Sequence, residues 1–255
     1  VSISKLFIAG VLPGILLACL FSGYIMFWAL RNPGQVPAAD GQTTFMQKLA
    51  CSRSLIPVVL LIAAVLGSIY SGVATATEAA AVGVVGSLVL SSLQGSMNWP
   101  TFRDALMGAT RLYCMIALIL AGAAFLTLAM GYIGLPRHLA EWIASLGLSK
   151  AQLIFALSVF FIILGCFLDG ISMVVLTMGV LMPTVQAAGI DPIWFGIFVV
   201  LVVEMAQITP PVGFNLFVLQ GMTGRQLPWI AKVTMPMFFL MCAAVALIYV
   251  FPGIV

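Results

Sequence analysis

A nine-residue stretch near the carboxyl end, QITPPVGFN at residues 207–215, places polar side chains and two adjacent prolines in a highly apolar region. Pro210 and Pro211 have no N–H donor and disfavour a helical conformation in the residue ahead, so carbonyl oxygens near Ile208 and Thr209 lose their usual helical partners. In a membrane, irregular backbone persists only when it is buried in protein or lines a watery cavity. The stretch therefore predicts a broken membrane helix.

The chemistry that such a break could perform is cation binding. The first half-helix presents carbonyls with partial negative charge, and the second presents N–H groups with partial positive charge. Sodium, like other hard cations, takes oxygen ligands, and Gln207, Thr209 and Asn215 supply oxygens around the interruption. The alternative is a structural proline kink, which is common in membrane helices.

A second unusual feature is the acid Asp169 in LGCFLDGISM, residues 164–173. It lies between two apolar arms, 150–168 and 171–186, which are joined so tightly that they must form an antiparallel pair. A carboxylate at membrane depth is costly and is functional by default. If both arms cross completely, Asp169 is instead an ordinary solvated turn residue. Pro183, which shortens the second apolar run, favours a re-entrant hairpin.

Glu204 lies inside the apolar run 192–208 and needs a partner or a proton. It could pair with a cation, form a structural hydrogen bond to a neighbouring helix or carry a transported proton. A membrane enzyme that used Asp169 or Glu204 as an acid or base is the alternative from another functional class. The metal-dependent type needs paired histidines, and the chain has one histidine and no GxSxG serine elbow.

Two further polar groups have mainly structural interpretations. In TATEAAAVG, Thr77 is predicted to be the N-cap of a helix that begins with Glu78, close to Thr75. His138 and Glu141 could be read as an acid–base pair. An interfacial helix with polar residues on its wet face explains these two residues better.

The composition places all of these residues in an integral membrane protein. The 255 residues are 63% hydrophobic and 7% charged, whereas about a quarter of the residues of a soluble domain are charged. Several charge-free runs reach the ~20 residues that a membrane helix needs, and no strand-like alternation is present. The net charge of +3 is spread over loops, which excludes a nucleic-acid partner. The cysteines are dispersed without metal-type spacing and are interpreted as small buried hydrophobes: Cys19, Cys51, Cys114, Cys166 and Cys242.

The apolar runs predict an all-α, multi-span helical bundle with one hairpin and one discontinuous helix. The predicted elements are spans at 6–30, 54–73, 78–94 and 106–131, an interfacial helix at 136–147, a hairpin at 150–186, a broken helix at 192–222 and a last span at 229–251. Residues 31–53 are predicted to be a polar surface connection. We expect three regions, with scaffold and connecting helices in 1–148, half of a transport domain in 149–222 and the final span in 223–255.

The distribution of Lys and Arg predicts the orientation, because cytoplasmic loops carry the excess. Seven lie on one side: Arg31, Lys48, Arg53, Arg103, Arg111, Arg225 and Lys232. Three lie on the other: Lys5, Arg137 and Lys150. The hairpin therefore enters from the outer side, and the carboxyl terminus is outside.

Four stretches carry a family resemblance: SISKLFIAGVLPGILLA, GSIYSGVATATEAAAVG, LGCFLDGISMVVLTMGVLMPTVQAAGIDPIWFGI and ITPPVGFNLFV. They span nearly the whole chain in the expected order. The chain resembles the carboxyl-terminal portion of the large membrane subunit of tripartite ATP-independent periplasmic (TRAP) transporters, within the ion transporter superfamily. Two departures are Ala76, where the family usually has proline, and the missing amino-terminal part, which carries the first inverted repeat.

The resemblance implies an elevator mechanism, in which a transport domain carries sodium and substrate past a fixed scaffold. The pair of arms around Asp169 would be the second re-entrant hairpin, and its tip would face the broken helix. The implied sodium-binding residues are Gly165, Asp169, Ile208, Thr209, Gly213 and Asn215, with Thr209 and Asn215 as the side-chain metal ligands. The implied substrate-binding residues are Ser172, Pro210, Pro211 and Val212. Further polar residues inside the membrane would be Glu204, Gln207, Thr75, Thr77 and Glu78.

The expected function is sodium-coupled secondary transport of small organic acids, such as dicarboxylates, keto acids or sialic acid, across the bacterial inner membrane, and not catalysis. Expected partners are a periplasmic substrate-binding protein, a small four-helix membrane subunit, the missing amino-terminal repeat and the lipid bilayer. A non-transporting structural subunit is the remaining alternative. Such a subunit would tolerate replacement of Asp169, Thr209 and Asn215 together.

Overall fold

The computed structural model describes residues 2–35, 55–210 and 213–255, and this part of the chain is helical without strands. It forms eleven α-helices: α1 (Ile3–Ala9), α2 (Val11–Arg31), α3 (Ile56–Tyr70), α4 (Ala76–Leu93), α5 (Trp99–Ile133), α6 (Leu135–Ser145), α7 (Lys150–Gly165), α8 (Gly170–Ala187), α9 (Pro192–Gln207), α10 (Phe214–Thr223) and α11 (Leu227–Val250). Short 3-10 turns occur at Pro33–Gln35 and Pro252–Ile254. Most of the predicted surface connection at 31–53 lies outside the described residues.

The prediction of an all-α membrane protein with several spans is confirmed. Among the described residues, five helical segments are long and apolar enough to cross a membrane: Ile3–Arg31, Ala76–Leu93, Trp99–Ile133, Gly170–Ala187 and Leu227–Val250. The apolar helices α7 and α9 have 16 residues each, which is about 24 Å of helix. That length falls short of the ~30 Å hydrocarbon core, whereas the second hairpin arm, α8, is long enough to cross it.

The chain divides into two compact units. The first, the hairpin unit, comprises Ala9–Gly23 and Leu112–Val255. Its centre is α9, which packs against α7, α8 and α11 and buries most of its side chains. Phe195 and Phe198 are almost completely buried there, and the ring of Trp194 stacks on Phe198 with centroids 5.6 Å apart. The helix that leads into the break is therefore the core of this unit.

The second, the amino-terminal unit, comprises Ser2–Ile8 and Tyr24–Arg111. Within it, α3 and α4 pack closely because α4 presents small residues to α3. A Cβ added at Gly86 would lie 2.3 Å from Cδ1 of Leu61, so a larger residue there would require the Leu61 side chain to move. The remaining apolar side chains of the unit are mostly exposed.

One local prediction is wrong. Thr75, not Thr77, is the N-cap of α4: its hydroxyl oxygen accepts from the Glu78 N–H at 3.3 Å, and Glu78 Oε2 accepts from the Thr75 N–H at 2.8 Å. This capping box requires the acid three residues after the cap, and only Thr75 satisfies that spacing. The second hairpin arm, α8, continues through Pro183 to Ala187, close to the predicted end of the arm at residue 186.

The helix α6 covers most of the segment predicted as an interfacial helix at 136–147. It packs against α8 and leaves Arg137, His138 and Glu141 exposed. Glu141 Oε1 accepts from Arg137 Nε at 2.8 Å, and this hydrogen bond, with the charge of Arg137, lowers the pKa of the Glu141 carboxyl. Glu141 is thus paired with arginine, and the structure gives no support to an acid–base pair with His138.

Candidate functional site

The predicted break in the penultimate long apolar segment is present. The helix α9 ends at Gln207 and α10 begins at Phe214. Between them, Ile208 has φ −102° and ψ 6°, and Gly213 has φ −17° and ψ 107°, both outside the helical geometry of their neighbours. The predicted substrate residues Pro211 and Val212 lie outside the described residues.

The carbonyl that the prolines deprive of a partner is that of Gln207. Its helical donors would be the N–H groups three and four residues ahead, and those residues are Pro210 and Pro211, which have none. The expectation that Thr209 loses its carbonyl partner is wrong, because Thr209 O accepts from the Gly213 N–H at 3.1 Å. For Ile208, the α-helical donor would be residue 212, which is not described.

Gly213 allows two carbonyl oxygens to converge. A Cβ at this position would lie 2.6 Å from Gln207 O and 2.8 Å from Thr209 O, both of them backbone atoms. Any larger residue would therefore force the backbone of the break to shift. Both oxygens therefore lie beside Gly213, and carbonyl oxygens are ligands that hard cations prefer.

The hairpin turn that joins α7 and α8 is organised by Asp169. Its Oδ2 accepts from the Ser172 N–H at 3.1 Å, and its Oδ1 accepts from the Ser172 hydroxyl. Asp169 is half-buried and Ser172 is buried. The prediction that Asp169 lies at the turn is confirmed, and its local role is the N-cap of α8.

The hairpin turn and the helix break are in direct contact. Cys166 Sγ lies 3.4 Å from Pro210 O and can donate to it. A Cβ at Gly165 would lie 2.4 Å from the Cβ of Ala206, and one at Gly170 would lie 2.3 Å from Nε2 of Gln207. Glycines at both ends of the turn therefore let it approach the end of α9. Sequence reasoning did not single out Cys166 or Ala206, because this contact depends on tertiary packing.

The two side chains predicted to bind a metal lie on either side of the break. The Thr209 hydroxyl donates to Met205 O at 2.8 Å, which leaves its oxygen lone pairs able to face a cation. Asn215 is half-buried, and its Nδ2 lies 3.5 Å from Oε2 of Glu204, an exposed acid. Glu204 therefore faces the second half of its own broken helix. Because Asn215 contacts Glu204 through its amide nitrogen, the amide oxygen of Asn215 remains available to bind a ligand.

The available ligands are hard oxygens. Within residues 2–35, 55–210 and 213–255, no three His, Cys, Asp or Glu side chains cluster as a metal site would require. Thr75, Thr77 and Glu78 belong to the amino-terminal unit, where Thr75 and Glu78 satisfy each other. The candidate ligands in the hairpin unit are backbone carbonyls together with the Asp169 carboxylate, the Thr209 hydroxyl and the Asn215 amide. Oxygen ligands of these kinds suit an alkali or alkaline-earth cation.

Comparison with known proteins gives one family. Residues 1–254 match the model described as tripartite ATP-independent periplasmic transporter, DctM component. The C4-dicarboxylate TRAP transporter large permease protein DctM of Pseudomonas aeruginosa is 30% identical over 254 residues, which cover 99% of this chain and 59% of that protein. The ectoine/5-hydroxyectoine TRAP transporter large permease protein UehC of Ruegeria pomeroyi is 33% identical over 260 residues, 99% of this chain and 59% of that protein. The sialic acid TRAP transporter large permease protein SiaM of Vibrio cholerae is 27% identical over 254 residues, 98% of this chain and 58% of that protein. The chain thus spans less than two thirds of the length of these relatives.

Proposed function

This chain belongs to the DctM component family of tripartite ATP-independent periplasmic transporters, and we propose that it provides the sodium-binding half of a secondary transporter for small organic acids. The observation that carries the proposal is the contact between the hairpin turn and the helix break, through Cys166 and Pro210. A hairpin tip that meets a discontinuous helix is the arrangement in which transporters of inverted-repeat architecture hold ions and substrates.

The proposed sodium ligands lie at this contact. Gln207 O and Thr209 O converge beside Gly213, Thr209 offers its hydroxyl oxygen and Asn215 its amide oxygen. Asp169, at the end of the facing hairpin turn, supplies negative charge nearby. Gly165 and Gly213 permit close packing at this contact because they have no side chains. The geometry supports this role better than direct coordination of sodium by their backbone atoms.

The substrate anion is proposed to bind next to the sodium ion. The start of α10 presents N–H groups with partial positive charge, and Ser172 lies across the contact on α8. Because no Lys or Arg occurs in the broken segment 207–215, the sodium charge and these dipoles would hold the carboxylate. The relatives' names mention C4-dicarboxylates and sialic acid, and the proposed substrate class for this chain is organic acids of this kind.

The assembly that we propose is tripartite. The remaining part of the large subunit would supply the first inverted repeat, a small membrane subunit would brace the scaffold, and a periplasmic binding protein would deliver the acid. The complex would lie in the bacterial inner membrane with the carboxyl terminus of this chain on the periplasmic side, which the distribution of Lys and Arg supports. Transport would follow an elevator movement of the hairpin and broken helix. The named relatives are transporter permeases, which favours transport over an enzymatic use of Asp169 or Glu204.

The proposal is tested by uptake in proteoliposomes that contain the complete transporter and its binding protein. Uptake should follow an inward sodium gradient and not an equal potassium gradient. Thr209→Ala and Asn215→Ala should each raise the sodium concentration for half-maximal uptake by about tenfold, equivalent to ~1.4 kcal/mol of ligand binding. Thr223→Ala and Asn32→Ala, which remove similar groups elsewhere, are the matched controls. If all four variants show the same sodium dependence, the sodium site does not lie at the helix break.

A further inference from the structure

A deep apolar groove runs along the hairpin unit between α7 and α11, with α9 as its floor. It encloses about 410 Å³. Two of its polar groups are already paired, since the Ser158 hydroxyl donates to Ile154 O at 2.8 Å and Cys242 Sγ contacts Met205 Sδ at 3.4 Å. The rest of the lining is apolar apart from Tyr249, at the end that adjoins the second cavity, so the groove suits a hydrocarbon chain.

A second cavity, of about 380 Å³, lies beside the groove at one end of the unit. The two cavities are adjacent, because Ile154 and Tyr249 line both of them. The second cavity lies where α7 begins, where α9 begins and where α11 ends. It has a different chemistry from the groove, because Lys150, Asp191 and Trp194 line it.

The mouth carries one cation and one anion. Lys150 Nζ donates to Gly189 O at 3.0 Å, and an ammonium has three donors; within the described part of the chain it forms no ion pair. Asp191 Oδ1 accepts from the N–H groups of Ile193 and Trp194 at 2.8 and 3.0 Å. Its Oδ2 has no partner among the described residues. Both charged groups therefore retain capacity for a ligand.

The dimensions match one leaflet of a bilayer. On α7 the groove is lined from Ala151 to Ile162, a rise of about 16 Å, which is close to half of the ~30 Å hydrocarbon core. Tyr249 lies exposed at the mouth, and tyrosine concentrates at membrane interfaces. The polar mouth is thus placed at headgroup level and the groove at acyl-chain level.

We propose that these two cavities form a binding site for one phospholipid with an amine-bearing headgroup. The phosphate binds Lys150, the headgroup amine binds Asp191, and one acyl chain lies in the groove. The combination of opposite charges at the mouth with an adjoining apolar groove of one-leaflet length favours this occupant over a helix of another protein. The mouth lies at the opposite end of α9 from the proposed sodium site, whereas the groove extends along α9 to Met205, whose carbonyl accepts from the Thr209 hydroxyl.

The first test uses native mass spectrometry of the complete transporter, stripped of lipid and titrated with phosphatidylethanolamine. Ala246→Phe fills the groove, and we expect it to weaken lipid binding by about tenfold. Ala243→Phe is the matched control, because Ala243 is exposed on the same helix and does not line the groove. Equal lipid binding in the two variants would overturn the proposal. A protein segment that co-purifies with the transporter and can be cross-linked to it at position Ala246 would also overturn it.

The second test addresses the headgroup. Lys150→Gln should weaken binding of both phosphatidylethanolamine and phosphatidylglycerol severalfold, and Lys232→Gln on α11 should not. Asp191→Asn keeps an N-cap side chain and should abolish the preference for phosphatidylethanolamine over phosphatidylglycerol. If Asp191→Asn leaves that preference intact, or if inorganic phosphate displaces the lipid at equal concentration, the assignment of an amine-bearing phospholipid is wrong.

Discussion

The turn before α4 and the turn before α8 are both closed by a side-chain cap, at Thr75 and at Asp169 respectively. The cap at Thr75 is exposed, and its partner Glu78 is on the same turn. The cap at Asp169 is half-buried, and the turn that it closes touches the broken segment through Cys166 and Pro210. The same kind of side-chain cap therefore starts an exposed helix at Thr75 and lies beside a candidate binding site at Asp169. The two turns differ in that only the turn at Asp169 contacts the backbone of the broken segment.

The largest expected effect is on folding at the contact between the hairpin turn and α9. Gly165→Ala places a Cβ 2.4 Å from the Cβ of Ala206, and we expect it to lower the free energy of unfolding by about 1–3 kcal/mol. Gly67→Ala in α3, where a Cβ meets nothing within 4 Å, is the control and should be neutral or slightly stabilising. The measurement is denaturant unfolding of the purified transporter; equal stability of the two variants would contradict the close packing.

The next effect concerns the charge at the hairpin turn. Asp169→Asn retains a side chain that can cap α8 but removes the carboxylate, so we expect uptake to fall at least about tenfold while assembly of the complex is preserved. Uptake into proteoliposomes and size-exclusion chromatography of the complex measure these two properties. A normal uptake rate would return Asp169 to the role of an ordinary turn residue.

The smallest effect is at the exposed turn. Thr75→Ala removes the cap of α4 and should cost about 1 kcal/mol of stability, whereas Thr77→Ala should stay within about 0.5 kcal/mol. Neither substitution is expected to change the sodium dependence of uptake. A larger loss in Thr77→Ala than in Thr75→Ala, measured by thermal unfolding, would reverse the assignment of the cap.

Much of the fold could be predicted from the sequence because its signals are local. Apolar runs of membrane length gave the helices, and the pair Pro210–Pro211 gave the break, since proline chemistry acts within one helical turn. The expectation of an unpaired carbonyl at Thr209 is wrong for a reason that the sequence already contains, because its helical donor lies four residues ahead at Gly213, which has an N–H. The Thr75 cap was recoverable from the spacing of Glu78 alone.

The candidate site was less predictable. The Asp169 turn and the break were both identified, but their contact depends on how α7, α8 and α9 pack. The sequence contains no periodic pattern that predicts the contact of Gly165 with Ala206 or of Cys166 with Pro210. Pairs of glycines flanking a short turn are a weak signal of such an approach, and only tertiary structure identifies the partner.

The most direct test of sodium binding between the hairpin turn and the helix break is thermal unfolding of the complete transporter as sodium is titrated against potassium at constant ionic strength. We expect sodium alone to stabilise the wild type and Thr75→Ala by ~2.7 kcal/mol at a concentration of 100 times the wild-type Kd. At that concentration the tenfold weaker binding expected of Thr209→Ala leaves ~1.4 kcal/mol of stabilisation, and we expect little effect on Asp169→Asn. Equal stabilisation by potassium, or full sodium stabilisation of Asp169→Asn and Thr209→Ala, would contradict sodium binding between the hairpin turn and the helix break.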